Sequence, residues 1–165
     1  MLDHVLKAAR RAETIRQIIV VSPERDTLSG DIPVLADSGL GLNKALSEAH
    51  RALLAFGARE LVILPADLPM LGAVDIDALV EAGRNAGFAM APDASGTGTN
   101  GLYLSCTHCF DFGFGPDSRE RHVEAALRLG LGVATVSRPG LEFDVDCPSD
   151  LEHLDHACFQ LPRLA

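Results

Sequence analysis

Apolar positions along the chain follow two rhythms that alternate. Leu42, Ala45, Leu46, Ala49, Leu53 and Phe56 fall at helical spacing and Gly57 ends the run, which predicts a helix in "GLNKALSEAHRALLAFG". Helices are likewise predicted in "VLKAARRA", "VDIDALVEAGRNAG", "GPDSRERHVEAALRLG" and "PSDLEHLDHAC". The fourth of these five has Asp117 as N-cap, Glu120 three residues on, and Gly130 past its end. Between the helices stand short apolar runs, "RQIIVVSP", "IPVLAD", "ELVILPAD", "FAMAPD", "GLYLSC", "GVATVSRP" and "LEFDVD", which predict strands. "ELVILPAD" is apolar on both faces, as the middle of a parallel sheet requires. Strands alternating with helices predict an α/β fold with a mostly parallel sheet and helices on both faces. Without an internal repeat or a linker, residues 1–165 are expected to form one domain. The chain opens on a helix, whereas doubly wound nucleotide-binding folds open on a strand and a phosphate-binding loop.

Ligands of such sheets gather at the carboxyl ends of the strands, and that rule sorts the polar residues. Asp67 follows "LVILPA", the "GTGTN" run follows "FAMAPD", and "FDVDCPSDL" lies at the last predicted strand. Alternation along that strand puts Asp144 and Asp146 on one face, and like charges held together need a cation or a proton between them. Asp67, between two prolines, is either a turn residue satisfying backbone amides or a third ligand. Three carboxylates suit magnesium, which takes hard oxygen donors and completes its shell with water and phosphates.

The run "SGTGTNG" offers small residues whose amides can approach an anion, with Thr97, Thr99 and Asn100 as side-chain donors, or it is an ordinary connector. "FGFGPDSRERH" joins a glycine to a helix start carrying Ser118, Arg119 and Arg121, which suits an anion and equally a solvated surface helix. Asn43 and Lys44 open the helix of "GLNKAL"; the amide of Asn43 suits a base edge and also an N-cap. Neither a Walker-A nor a dinucleotide-binding glycine motif occurs, and no Ser or Cys nucleophile elbow accompanies His4, His50 or His122.

Charge narrows the partners. A net charge of −9 without a basic stripe argues against binding a nucleic-acid backbone. No apolar run is long enough to span a bilayer and the N-terminus lacks a signal-peptide layout, so a cytoplasmic location is the default expectation. Cys106, Cys109, Cys147 and Cys158 are too scattered for a disulfide framework. A metal or redox site at "CTHC", or among Cys147, His153, His156 and Cys158, is weighed against ordinary side chains, and the ordinary role is preferred.

In order along residues 41–151, "GLNKAL", "LPADLPML", "GTGTNGL", "FGPDSRERHVEAA" and "FDVDCPSDL" resemble the 2-phospho-lactate guanylyltransferase family of deazaflavin coenzyme biosynthesis. The resemblance implies a nucleotide-diphospho-sugar-transferase-like, Rossmann-like fold related to molybdopterin guanylyltransferases. It also implies transfer of GMP from GTP to 2-phospholactate, phosphoenolpyruvate or 3-phosphoglycerate, with pyrophosphate released. By position, Asp67, Asp144 and Asp146 resemble the metal-binding catalytic carboxylates. Thr99 and Thr97 resemble the loop that holds the acid, Gly115 and Ser118 its second clamp, and Asn43 the nucleotide side. Family members begin with a strand and a basic loop whose lysines resemble a triphosphate grip; this sequence opens at what matches the first family helix. The expected sheet therefore lacks its usual first strand, and exposed strand edges invite a homodimer. Two alternatives stand beside this expectation: another nucleotidyltransferase, such as a molybdopterin-type guanylyltransferase, and a non-catalytic binding subunit without the triphosphate grip.

Overall fold

A computed structural model of the chain describes residues 1–23, 32–105 and 109–145. The helices are α1 (Leu2–Arg11), α2 (Leu42–Ala55), α3 (Ala73–Ala86), α4 (Ser118–Arg128) and the single turn α5 (Pro139–Glu142). The strands are β1 (Val20–Ser22), β2 (Val34–Ala36), β3 (Glu60–Ile63), β4 (Gly87–Ala91), β5 (Gly101–Ser105) and β6 (Gly132–Thr135). The helix predicted in "PSDLEHLDHAC" lies outside the described residues.

Period-two alternation builds the centre of the fold. Phe88 and Met90 of β4, with Leu102 and Leu104 of β5, join Phe110, Phe112 and Ala126 in one apolar cluster. Their neighbours Ala89, Ala91 and Tyr103 point the other way, to Leu68, Leu71, Ile76, Leu79 and α1. Side chains on a strand alternate faces, so a sheet apolar at successive positions must be covered twice. Here α1 and α3 cover one face and α4 the other. Each large apolar side chain fully buried in this way contributes about 1.5–3 kcal/mol relative to exposure.

The four-stranded sheet has the order β3-β5-β4-β6, and β1 and β2 form a separate parallel pair. Strands β4 and β6 are parallel, as expected, whereas β5 runs antiparallel to both its neighbours. The connection of residues 92–100 explains the reversal, because a loop this short joins antiparallel strands and cannot make a parallel crossover. Three sequence expectations are corrected here. Strand β3 was expected in the middle of a sheet, yet among the described residues it is an edge strand. "RQIIVVSP" forms a strand only at Val20–Ser22, where β2 pairs with it. Over its described residues "LEFDVD" is not a strand: Pro139, with φ fixed in the helical range, opens a turn over Pro139–Glu142, and residues 143–145 follow as irregular backbone.

Between the edge strands β1 and β3 runs a cleft of about 1150 Å³. Val20, Val21, Val62 and Ile63 line it from the strands, and Val5, Ala9, Leu46 and Leu53 line it from α1 and α2. Past the carboxyl end of β3, Asp67 lines it together with Asp93, Thr97 and Thr99.

One close contact fixes α3 on the sheet. A Cβ built on Gly83 would lie 2.0 Å from Tyr103 Cδ1. Glycine in a helix costs roughly 0.5–1 kcal/mol relative to alanine, so its presence here reflects space rather than propensity. Gly83→Ala is therefore expected to destabilise the fold by about 1–3 kcal/mol in urea unfolding, despite the better helix former. A gain in stability would show that α3 stands farther from β5.

Candidate active site

The common direction of β3, β4 and β6 brings their carboxyl ends to one edge, where Asp67, the 92–100 loop and the segment after α5 meet. Val145 N donates to Asp67 O at 3.1 Å, which lays the segment bearing Asp144 against the exit of β3. Asn100 Nδ2 donates to Glu142 O at 3.2 Å and ties the glycine-rich loop to the same segment. Asp67 and Asp144, both half-buried, line the cleft. Asp146 lies outside the described residues. Among the described residues no three His, Cys, Asp or Glu side chains converge as a metal-ligand set. Asp67 and Asp144, on segments joined by the backbone bond from Val145 N, carry the hard oxygen donors that a magnesium-type cation takes.

The loop is organised by an anion of its own. Asp93 Oδ1 accepts from Thr97 N at 3.0 Å and Gly98 N at 2.8 Å, while Ser95 Oγ donates to Oδ2 at 2.8 Å. Burial alone would push this carboxyl up, but the bonds from Ser95 and the loop amides outweigh it and hold it below the usual carboxylate range. The loop amides expected to meet a ligand anion at Thr97 and Gly98 are therefore already engaged. Gly98 is needed for this arrangement, because a Cβ there would meet Asp93 Oδ2 at 2.7 Å.

The start of α4 likewise departs from expectation. Asp117 stands at the N-cap position but adopts φ 55°, and its side chain makes no capping bond. A residue that caps a helix through its side chain typically has extended backbone, not left-handed. The first-turn amides instead go to loop carbonyls: Ser118 N donates to Gly115 O at 3.1 Å and Arg119 N to Thr97 O at 3.0 Å. Arg119 Nη1 also donates to Gly96 O at 3.0 Å, binding helix and loop into one unit. Gly115, at φ 114°, is exposed on the rim and lines the cleft, as does the exposed Thr97, whose Oγ1 shares a hydrogen bond with Ser95 Oγ.

Two buried hydroxyl-bearing residues of this unit line the cleft. Ser118 Oγ donates to Thr99 Oγ1 at 3.1 Å, and both residues are buried while lining the cleft. Behind them stands His122, at zero exposure, with Nδ1 3.1 Å from Thr99 Oγ1 and Nε2 accepting from Gly113 N at 3.0 Å. Burial first, and the nearby Arg121 charge second, hold the imidazole down to about 4. Sequence reasoning noted His122 only as lacking a nucleophile elbow; its spacing four residues after Ser118, one helical turn, was the available signal.

Asn43 faces elsewhere. Its Nδ2 donates to Phe114 O at 3.0 Å and its Oδ1 accepts from Phe114 N at 2.8 Å, so both ends of the amide hold the 110–118 loop. The N-cap of α2 is Gly41. Cys109 is free and exposed; Cys106, His108, Cys147, His153, His156 and Cys158 lie outside the described residues.

The family model described as "Guanylyl transferase CofC like" matches residues 1–156 of this chain. The chain belongs to that family. The CofC-like chain is 41% identical over 160 residues to the phosphoenolpyruvate guanylyltransferase of Rubrobacter xylanophilus, covering 94% of this chain and 78% of that protein. It is 40% identical over 159 residues to the enzyme of the same name from Sphaerobacter thermophilus, covering 93% and 76%. Among solved structures, 4-diphosphocytidyl-2C-methyl-D-erythritol synthase superposes with a TM-score of 0.70 at 18% identity, covering 92% of this chain and 85% of that one. A structure assigned to a nucleotide-diphospho-sugar transferase of Desulfovibrio desulfuricans G20 gives 0.73 at 18% identity, covering 90% and 68%. At that identity the likeness carries the fold, which is the one expected from the sequence. The CofC-like chain is thus a guanylyltransferase, and so a nucleotidyltransferase, by family. Among its described residues no helix is long and apolar enough to cross a membrane.

Proposed function

We propose that this guanylyltransferase joins GMP from GTP to phosphoenolpyruvate and releases pyrophosphate, as a cytoplasmic step of deazaflavin coenzyme formation. The observation that carries the choice of acid is the identity of 40–41% to two relatives bearing that name, over more than nine-tenths of the chain. In the proposed reaction a phosphate oxygen of the acid attacks the α-phosphorus of GTP. The bond from that phosphorus to the bridging oxygen breaks, and pyrophosphate leaves with the electron pair. The nucleophile is ionised near neutral pH, so the site needs no strong general base. It needs charge relief and alignment.

Asp67 and Asp144, with Asp146 beyond the described residues, are the proposed holders of magnesium. When bound, a divalent cation relieves the charge on phosphate oxygens and favours departure of pyrophosphate. The chain's own residues do the rest. The Thr99–Ser118 hydroxyl pair, with Thr97 and Gly115 on the rim, receives the acid. Asn43, expected from the sequence on the nucleotide side, has its amide taken up by Phe114 and serves here by holding the loop that carries Gly115.

Ser118→Ala is expected to raise the Michaelis constant for the acid roughly tenfold or more, as befits loss of a hydrogen bond in a charged complex, and that for GTP far less. An unchanged acid constant would remove Ser118 from the clamp. The proposal as a whole is tested by steady-state rates with GTP, ATP, CTP and UTP against phosphoenolpyruvate, 2-phospholactate and 3-phosphoglycerate. Preference for GTP with phosphoenolpyruvate supports it; preference for another pair assigns a different reaction.

A further inference from the structure

We infer that His122 is a positioning residue that, by donating to Thr99 Oγ1, leaves the Thr99–Ser118 hydroxyl pair with one hydrogen-bond donor for the cleft, selecting an anionic oxygen of the substrate there. The inference rests on the proposed binding of a phosphorylated acid at Thr99 and Ser118, and deepens it.

The argument is a count of protons. A backbone amide can only donate, so the bond from Gly113 N at 3.0 Å makes His122 Nε2 an acceptor without a proton. A neutral imidazole must then carry its proton on Nδ1. That nitrogen stands 3.1 Å from Thr99 Oγ1 and donates to it. Ser118 Oγ donates to the same oxygen at 3.1 Å. With two bonds accepted, Thr99 keeps its own proton for a ligand in the cleft that it lines. Reversal of the Ser118–Thr99 bond would pass the outward donor to Ser118, so the pair presents one donor in either case.

The surroundings keep this polarity. The ring is fully buried, with Phe114 edge-on at 4.7 Å and Phe110 at 6.0 Å between ring centres. An imidazolium would set an N–H against the Gly113 N–H, two donors face to face. Burial opposes that state further, holding the group down to about 4. A buried donor left unpaired is costly, so a ligand without an acceptor at this point is rejected.

Two measurements test this. The first is the tautomer of His122 in the free wild-type chain, read from long-range nitrogen-15 correlations at pH 7. The proton is expected on Nδ1, and a proton on Nε2 overturns the inference whether or not the chain turns over. The second compares His122→Phe, which keeps a ring and removes both nitrogens, with His122→Asn, whose amide N–H replaces Nδ1–H. In pyrophosphate release with GTP and phosphoenolpyruvate, His122→Phe is expected to raise the Michaelis constant for the acid at least about tenfold and that for GTP less than about twofold. His122→Asn is expected to recover most of the loss. Equal shifts in both constants, or no recovery with Asn, would reduce His122 to a packing residue. Silence of the wild type with every acid strikes the proposed reaction instead, and the tautomer then decides the polarity by itself.

Discussion

Asp144→Asn is expected to lower turnover by at least roughly 10²–10³-fold, the loss seen when one preorganised electrostatic contact is removed from a transition state. The substitution keeps the size and hydrogen-bonding reach of the side chain and deletes only its charge. The neighbouring backbone bond from Val145 N to Asp67 O does not involve the carboxylate, so the segment stays in place. Asp67→Asn, on the segment bonded to that of Asp144, is expected to do the same. If both carboxylates hold one cation, the double variant loses little more than either single one, because groups that act as a unit are not additive. Raised magnesium is expected to restore part of the activity of either single variant. Near-normal turnover of Asp144→Asn, with an unchanged melting temperature, would remove the carboxylate from the site.

The second large effect is on stability. His122 is buried and held down to about 4, whereas in the unfolded chain it titrates near 6.5. Above pH 6.5 the group is neutral in both states, and its neutral-state bonds are fully present. As pH falls from there toward 4, the unfolded chain takes up a proton that the folded one refuses, and stability declines. Below 4 both states are protonated and the loss is complete. A gap of this size corresponds to roughly 3 kcal/mol at 1.36 kcal/mol per unit. His50, also buried and pushed down by burial, adds to the same slope. Urea unfolding of the wild type between pH 7 and 4.5 is expected to show the decline, and His122→Phe a much flatter one. A wild-type curve that stays level across this window would mean that His122 is solvated or already charged.

Much of this architecture is legible in the sequence because it rests on local periodicity. The boundaries of α2 follow from its apolar spacing and from Gly57, which takes φ 87°. The paired clusters on either side of β4 and β5 follow from their uninterrupted apolar runs. What escaped depends on neighbours distant in sequence. Nothing within "ELVILPAD" says that β3 ends a sheet, since a strand facing a cleft and one facing another strand carry the same apolar residues. Asp117 suits an N-cap by type, but the carbonyls of Gly115 and Thr97 had already taken the first amides of α4. Glycine-rich loops suggest open amides; here an aspartate inside the loop fills them. His122 was overlooked for a related reason. Its role lies in the two bonds it makes across the fold, and a lone histidine on a helix does not show them.

The measurement that tests the central claim most directly is phosphorus NMR of this 165-residue chain incubated with GTP, magnesium and phosphoenolpyruvate. The account predicts free pyrophosphate appearing in step with a new pair of coupled diphosphate resonances, from the anhydride joining GMP to the acid. Unchanged GTP with that acid, and equally with 2-phospholactate and 3-phosphoglycerate, would contradict it.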